Sequence, residues 1–182
     1  MNARKQIIEA IFELLNKYPM EKITVDMIVE QCEMSRTSFY RYFQDKYQLM
    51  TMAYTFYVDK MVEGDLMIRD WAAVHENILR LMLDNKTAFE NMFIIEGQDS
   101  FFKFLYASNL RMLRENYMRI KEVSKLTLYE THLMELYIAG MVWLEQQWVQ
   151  RGMDLPPKEM ARIITDGMPA IIKSAFIDPS VT

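Results

Sequence analysis

Residues 35–46 carry the side chains whose types and spacing best suit a chemical task. Arg36 and Arg41 offer guanidinium groups that can hydrogen-bond the edge of guanine, while neighbouring hydroxyl and phenol groups can bond phosphates. Phe39 and Phe43 stand four residues apart, so on a helix they share one face and leave the polar side chains on the other. Such a face predicts contact with the major groove of double-stranded DNA. The candidate DNA-contacting residues are Thr24, Ser35, Arg36, Thr37, Ser38, Tyr40, Arg41, Tyr42 and Lys46.

The segment from Ile23 to Leu49 predicts the elements that position these side chains, namely two short helices joined by a tight turn. Thr24 can cap the first helix, whose apolar residues follow helical spacing. Ser35 can cap the second helix. Asp45 can cap a third, which places Lys46 at a helix N-terminus where backbone N–H groups favour a phosphate.

This segment resembles the tetracycline-repressor (TetR) family of bacterial transcription regulators. The positions that carry the resemblance are Thr24, Ser35, Phe39-Tyr40, Tyr42-Phe43 and Lys46, which stand without a gap. The resemblance implies a DNA-binding domain over residues 1–47 and a ligand-binding and dimerisation domain over residues 48–182. One departure lies at the turn, where the family's usual Gly is replaced by Glu33. A residue at that corner often needs a positive φ, which costs a non-glycine residue about 1 kcal/mol.

The composition favours an all-α protein. The chain has 182 residues, of which 51% are hydrophobic, with only 5 Gly and 5 Pro. Few helix breakers among abundant Leu, Met, Glu, Lys and Arg indicate helices throughout. Helix start and stop signals predict about nine helices, arranged as an N-terminal three-helix helix-turn-helix unit and a C-terminal helical bundle. The net charge is −4, but residues 1–50 carry seven basic and seven acidic residues, so the acidity lies outside the predicted DNA-binding unit.

The predicted helices after the helix-turn-helix unit have identifiable ends. A long helix should run from Lys46 to about Val62. Thr127 and Glu130 form a capping box that opens a helix of roughly 25 residues, which Gly152 closes. Pro169 should kink or shorten the last helix. The other helices are predicted at about 3–17, 70–83, 85–95, 100–119 and 157–175.

The segment from Tyr137 to Ala161 is similar to the C-terminal domain of a TetR subgroup. The matching residues are Gly140, Trp148, Gly152, Met153 and Pro157. The resemblance implies that the last two helices pack against the same pair in a second subunit, as a four-helix dimer interface. Residues 138–144 are apolar nearly all round the helix, which requires burial on more than one side. The candidate interface residues are Met141, Trp148 and Ile163.

Aromatic and methionine side chains are abundant in the middle helices. Any single residue of this kind is more often core than pocket lining, but together with Tyr and His they can surround a small, largely apolar molecule. The candidate ligand-wall residues are Phe93, Phe104, Tyr129, His132 and Tyr137. Neither histidine of the chain has a His or Cys partner three or four residues away, so we expect no metal site. We expect no cofactor.

Several classes of protein are excluded by what the sequence lacks. It has no Gly-rich phosphate loop, no serine nucleophile elbow and no clustered acid–base set, so we expect no enzymatic activity. Cys32 is the only cysteine, so no intrachain disulfide can form. We find no signal peptide and no uncharged run of the ~20 residues that a transmembrane helix needs, which predicts a cytoplasmic protein and no membrane partner.

Two functions remain open. The favoured one is a DNA-binding regulator, a homodimeric repressor that binds an inverted repeat and is released by a small molecule. The alternative is a TetR-like co-activator that acts by protein contact and has lost operator binding, since the resemblance includes such proteins. Arg36, Thr37, Tyr40, Tyr42 and Lys46 all remain suited to DNA contact, which favours the first function.

Overall fold

A computed structural model of the chain describes residues 2–62, 71–95, 97 and 100–176. Over these residues the chain forms ten α-helices, one 3-10 turn and no strand, which confirms the predicted all-α class. The helices are α1 (Ala3–Leu15), α2 (Val25–Gln31), α3 (Arg36–Tyr40), α4 (Lys46–Val62), α5 (Trp71–Asp84), α6 (Lys86–Phe93), α7 (Phe101–Ile120), α8 (Leu128–Gln150), α9 (Pro157–Asp166) and α10 (Ala170–Phe176), and the 3-10 turn is Met20–Lys22.

The chain groups into two compact units. The first unit comprises residues 1–60 with 84–101, and the second comprises residues 61–83 with 102–182. The first unit includes α6 because the Phe12 ring of α1 packs against both Tyr57 of α4 and Phe89 of α6, with ring centroids 4.7 and 6.1 Å apart. This grouping by packing differs from the predicted boundary after residue 47, which divides the chain by function and stays a prediction.

Three helices end with the same change of backbone direction. Glu33 after α2, Glu122 after α7 and Gly152 after α8 adopt the left-handed conformation, with φ of 53°, 53° and 80°. After α2, the Met34 N–H donates back to the Val29 carbonyl at 2.8 Å, which satisfies a carbonyl of the last turn. The structure confirms the positive φ predicted at Glu33 and the helix end predicted at Gly152.

The C-terminal part of the chain forms two helices where the sequence predicted one. α9 ends at Asp166 and α10 begins at Ala170. Pro169, between them, has no N–H to donate, and its ring excludes continuation of α9. This break accounts for the tenth helix. The capping box of α8 is confirmed, because the side chains of Thr127 and Glu130 each accept a hydrogen bond from the other's backbone N–H.

A buried hydrogen-bonded cluster joins three helices of the second unit. Trp71 Nε1 of α5 donates to the Tyr137 hydroxyl of α8 at 3.0 Å, and that hydroxyl donates to the Ile164 carbonyl of α9 at 3.0 Å. The Phe176 ring of α10 packs against Trp71, with centroids 5.6 Å apart. These contacts fix the core of the second unit around α8.

Candidate nucleic-acid interface

Hydroxyl caps start the two short helices of the helix-turn-helix. Thr24 Oγ1 accepts a hydrogen bond from the Met27 N–H, and Ser35 Oγ accepts one from the Ser38 N–H, each at 3.2 Å. Both caps are as predicted. The hydroxyls of Thr24 and Ser35 therefore serve the fold, and their contact with DNA stays a prediction.

α3 ends at Tyr40, so Phe43 lies just after the helix and not on it, but both Phe39 and Phe43 are buried while the polar side chains around them are exposed. Phe39 is fully buried and Phe43 is 1% exposed, and their ring centroids lie 5.7 Å apart. Tyr40, on the other side, is 52% exposed. The exposed or half-exposed side chains here are Arg36, Thr37, Ser38, Tyr40, Arg41 and Tyr42. The structure thus brings the predicted DNA-contacting residues of α3 and its C-terminal end to the surface of the first unit.

Both arginines of this surface already have a contact within the chain. The Arg36 guanidinium lies 3.4 Å from the Asp26 carboxylate of α2, and both side chains are more than half exposed. The Arg41 guanidinium lies over the Tyr42 ring, 5.0 Å from its centroid. An exposed ion pair contributes at most about 1 kcal/mol, so Arg36 can leave Asp26 for a base edge at small cost.

The Lys46 side chain binds the backbone of the first unit. Its Nζ donates to the carbonyl oxygens of Met20 at 2.7 Å and Ile23 at 2.8 Å, and the Glu21 carbonyl lies 3.3 Å away. These bonds tie the start of α4 to the 3-10 turn that precedes α2. Desolvation lowers the pKa of the Lys46 ammonium. The ammonium is therefore a structural clamp, and its contact with a phosphate stays a prediction.

The N-terminus of α4 is less open to a phosphate than the sequence suggested. Asp45 caps the helix as predicted, since its Oδ1 accepts the N–H groups of Tyr47 and Gln48 at 2.8 Å each. The Gln44 N–H donates to the Gln48 side-chain carbonyl at 2.7 Å. These N–H groups are satisfied within the chain, and the Asp45 carboxylate brings negative charge to the same place. A phosphate would have to displace these bonds.

Four of the five predicted ligand-wall residues belong to the second unit, where two are exposed and two are buried or half-buried, and the fifth, Phe93, belongs to the first unit. Phe93 is buried in the first unit, where its ring packs on another aromatic ring. Tyr129 is 67% exposed, and the His132 side chain is 73% exposed. Tyr137 is buried with its hydroxyl bonded on both sides, and Phe104 is half-buried. The physical reason is helical spacing, which turns Tyr129 and His132 away from the buried face of α8 that carries Tyr137.

Two of the three predicted interface residues lie inside the second unit. Met141 is 4% exposed and Trp148 is 2% exposed, and Trp148 Nε1 donates to the Leu155 carbonyl at 3.0 Å. Because both side chains fill this chain's own core, neither offers a surface to a partner. Ile163 of α9 is 47% exposed. The exposed large apolar residues of α8 are Leu128, Tyr129, Leu136 and Trp143.

Two buried titratable residues of the second unit were not among the predicted site residues. Glu145 of α8 is 2% exposed and His75 of α5 is 1% exposed. The signal in the sequence for Glu145 is an acid at a helical position whose neighbours three and four residues away are apolar.

In the described part of the chain, no three His, Cys, Asp or Glu side chains are grouped as metal ligands would be. Over the same residues, no helix has both the length and the apolar character that crossing a membrane requires.

Two protein-family models match different parts of the chain. Residues 7–52 match the family model described as bacterial regulatory proteins, tetR family, and residues 69–169 match the model described as transcriptional regulator C-terminal region. No curated protein sequence matches the chain. A solved structure named dihydroxyacetone kinase operon activator DhaS is similar, with a TM-score of 0.68 and 18% identity over 94% of this chain and 96% of that chain. At that identity the likeness concerns the fold.

The clamp at Lys46 gives a prediction about stability. Replacing Lys46 with Met keeps an apolar stem but removes the ammonium that donates to the carbonyls of Met20, Glu21 and Ile23. We expect the free energy of unfolding to fall by about 1–3 kcal/mol, as for other hydrogen bonds to a charged group. Urea unfolding followed by circular dichroism measures the change. Lys5→Met removes only an exposed ion pair with Glu9, so it is the control and should change stability by less than about 1 kcal/mol. Equal stabilities of the two variants would contradict the clamp.

Proposed function

Because the chain belongs to the TetR family of bacterial transcription regulators, we propose that it is a repressor, a homodimer that binds an inverted repeat in double-stranded DNA and is released by a small ligand. Family membership makes it a transcription regulator and not an enzyme. The observation that supports DNA binding is the burial of Phe39 in α3 and of Phe43 just after it, which leaves basic and hydroxyl side chains exposed on the other side. In this proposal residues 1–47 bind DNA, residues 48–182 bind ligand and dimerise, and the protein acts in the cytoplasm.

The proposed reading of DNA divides the surface of α3 by chemistry. Arg36 and Thr37 read base edges, while Tyr40 and Tyr42 hydrogen-bond phosphates. Lys46 adds positive charge behind them. In a dimer the two recognition helices enter successive major grooves, about 34–36 Å apart, which requires an operator with two inverted half-sites.

We place the dimer interface on the exposed apolar face of α8 and α9. Leu136 and Trp143 are 72% and 52% exposed, and they stand seven residues apart, on the same face of α8. Ile163 on α9 adds a third large apolar side chain. A set of exposed apolar side chains on neighbouring helices is typical of a surface that packs against a partner.

Release of DNA by a ligand sets a thermodynamic requirement. The ligand must bind the form that does not hold DNA more tightly than the form that does. A preference of about 100-fold corresponds to ~2.7 kcal/mol for each site. The proposed ligand is small and binds within the second unit.

A second candidate function is a co-activator that acts by protein contact. The similar solved structure is named an operon activator. Three contacts in the first unit also favour the co-activator function. Asp26 holds Arg36, Asp45 occupies the N-terminus of α4, and Lys46 is engaged with backbone carbonyls. Each of these three contacts reduces the positive charge that the first unit can offer to DNA phosphates.

Selection from a random double-stranded DNA library decides between the two functions. The purified full-length chain is incubated with the library at low salt, and bound sequences are amplified and read over several rounds. We expect enrichment of one inverted repeat, whose half-sites lie about one helical turn apart. If no palindrome is enriched, the co-activator function replaces the repressor.

Substitutions of Arg36 and of Asp26 should change DNA binding in two different ways. Arg36→Ala should relax sequence preference at one base pair in each half-site, worth roughly 1–3 kcal/mol. Asp26→Asn should tighten binding to every sequence, because it removes a negative charge near the phosphates and frees Arg36. Fluorescence anisotropy with the selected operator and with single-base variants measures both. An Arg36→Ala protein with unchanged preference at every base pair would contradict the role of Arg36.

The exposed face of α8 gives a prediction about assembly. Leu136→Glu should give a soluble, folded monomer, because the charge falls on the proposed interface and not in the core. Met141→Glu buries an unpaired charge instead and should give unfolded or insoluble protein. Leu83→Glu changes an exposed leucine of α5 and is the control, which should remain dimeric. Sedimentation at micromolar concentration measures the mass of each. A wild-type monomer, or a Leu136→Glu dimer, would contradict this interface.

A further inference from the structure

Gly140 stands in the middle of α8, and no contact within the described part of the chain accounts for it. α8 runs from Leu128 to Gln150, and Gly140 is exposed to solvent. A Cβ atom placed at Gly140 would lie in open space, with nothing beyond the backbone of its own helix within 4 Å. The backbone there is helical, so no left-handed conformation calls for a glycine. In the single chain, alanine would therefore fit this position.

Glycine is an unfavourable residue in such a place. In the interior of a helix it is less favourable than any residue except proline, since it loses the most backbone freedom on folding. A glycine at an exposed position of a long helix therefore needs a compensating gain. Neither packing nor backbone conformation supplies that gain at Gly140 within one chain. The remaining use of a glycine is to let a backbone from outside the chain approach closely.

The residues around Gly140 form a row along the exposed face of α8. Leu136, four residues before it, is 72% exposed, and Trp143, three residues after it, is 52% exposed. Spacings of three and four residues place side chains on one face of a helix. Gly140 is thus a gap between two large apolar side chains, each about one turn away. The full row of exposed or half-exposed residues is Tyr129, His132, Leu136, Gly140, Trp143, Gln147 and Gln150.

The row contains no carboxylate, lysine or arginine, although α8 carries three acids. Glu130 accepts a hydrogen bond from the Tyr117 hydroxyl of α7 at 2.8 Å. Glu135 accepts one from the Arg114 guanidinium of α7 at 2.7 Å. Glu145 is 2% exposed. The acids of α8 therefore bond α7 or lie in the core, and the row along the exposed face is left without them.

A face of this kind suits a second copy of the same chain. A two-fold axis brings a surface against itself, so a charge on the row would meet its own copy and repel it. A row without acids or strong bases avoids that repulsion. The order of large, small and large side chains also complements itself. Two glycines at a crossing point let the helices approach, while Leu136 and Trp143 fill the space on both sides.

We propose that two copies of the chain meet where α8 crosses α8 of the partner subunit, with Gly140 at the crossing point. This inference rests on the proposed homodimer and assigns the point at which its helices touch. Axes of packed helices lie about 8–10 Å apart, depending on the side chains at the contact, and a glycine permits the shorter distance. Leu136 and Trp143 of each copy then pack around the contact.

A larger residue at position 140 should separate the two copies without unfolding them. Gly140→Ala should weaken dimerisation about tenfold and Gly140→Leu at least about 100-fold, because the added carbons push the helices apart. Ala107→Leu enlarges an exposed position of α7 and is the control, whose dissociation constant should stay within about twofold of wild type. Sedimentation of the full-length proteins over a range of concentrations gives each dissociation constant, and circular dichroism checks that each variant keeps its helices.

The same substitution should have the opposite effect on a single chain. In the Leu136→Glu background, which the proposed interface makes monomeric, Gly140→Ala should raise the urea concentration at half-unfolding. The reason is that alanine is the better helix former and its Cβ has room. A glycine needed by the fold of one chain would make this variant less stable instead. Opposite signs in dimer and monomer therefore distinguish a contact between copies from a structural role.

A cysteine at position 140 tests the crossing directly. Cys32→Ser removes the only cysteine of the chain, and Gly140→Cys in that background is oxidised with copper phenanthroline. A crossing at this position brings the two cysteines near the separation of a disulfide, whose Cα atoms lie ~4.4–6.8 Å apart. Most of the protein should then run as a covalent dimer under denaturing conditions. Ala107→Cys in the same background is the control and should stay a single chain.

Three results would overturn the crossing at Gly140 while the homodimer stands. They are a Gly140→Leu protein that dimerises as tightly as Ala107→Leu, a Gly140→Ala substitution that destabilises the monomeric background, and no disulfide through position 140. A wild-type chain that is monomeric at micromolar concentration would overturn the homodimer and the crossing together. The operator selection reports separately on DNA binding, so its result does not depend on where the helices cross.

Discussion

The surface that faces DNA in the proposed function depends on the burial of two rings, Phe39 and Phe43. α3 has only five residues, far fewer than the ~12–15 that an isolated helix needs to be stable in water. Its conformation therefore comes from the Ser35 cap and from the packing of the two rings, which are essentially inaccessible to solvent. Burying that face leaves Arg36 and Tyr40 outside. The same packing thus builds the helix and selects the side chains that it presents.

Polar side chains at the start of α4 bond backbone groups of the first unit and so join α4 to the helix-turn-helix. The Lys46 ammonium bonds the carbonyls of Met20 and Ile23, just before α2, and Asp45 caps α4. A displacement of the start of α4 therefore pulls on the turn before α2. The groups that make this junction rigid are the ones that a phosphate would otherwise use, so rigidity within the first unit and free positive charge for DNA compete.

Sequence reasoning predicted the local structure well where a single residue determines it. The caps at Thr24, Ser35, Asp45 and Thr127 are side-chain hydrogen bonds to the backbone three or fewer residues away, so the sequence alone contains them. The positive φ at Glu33 follows from the short turn in the same way. Pro169 was recognised as a breaker, but whether a proline kinks a helix or ends it depends on packing around it.

The faces of α8 could not be assigned from the sequence, because apolar residues occupy nearly every side of that helix. Periodicity then cannot say that Met141 and Trp148 point inward while Leu136 and Trp143 point outward. The same ambiguity placed Tyr129, His132 and Tyr137 on one predicted wall. Glu145 was overlooked for a related reason. A single acid in an apolar run looks like an exposed position until the burial of its neighbours is known.

The central claim is that α3 reads DNA in the major groove, and methylation interference tests it most directly. DNA carrying the selected site is methylated sparingly at guanine N7, which lies in the major groove, and the full-length protein separates bound from unbound molecules. We expect methylation at one symmetrical guanine position in each half-site to block binding, with the two positions about one helical turn apart. Binding that is insensitive to methylation at every guanine of the site would contradict it.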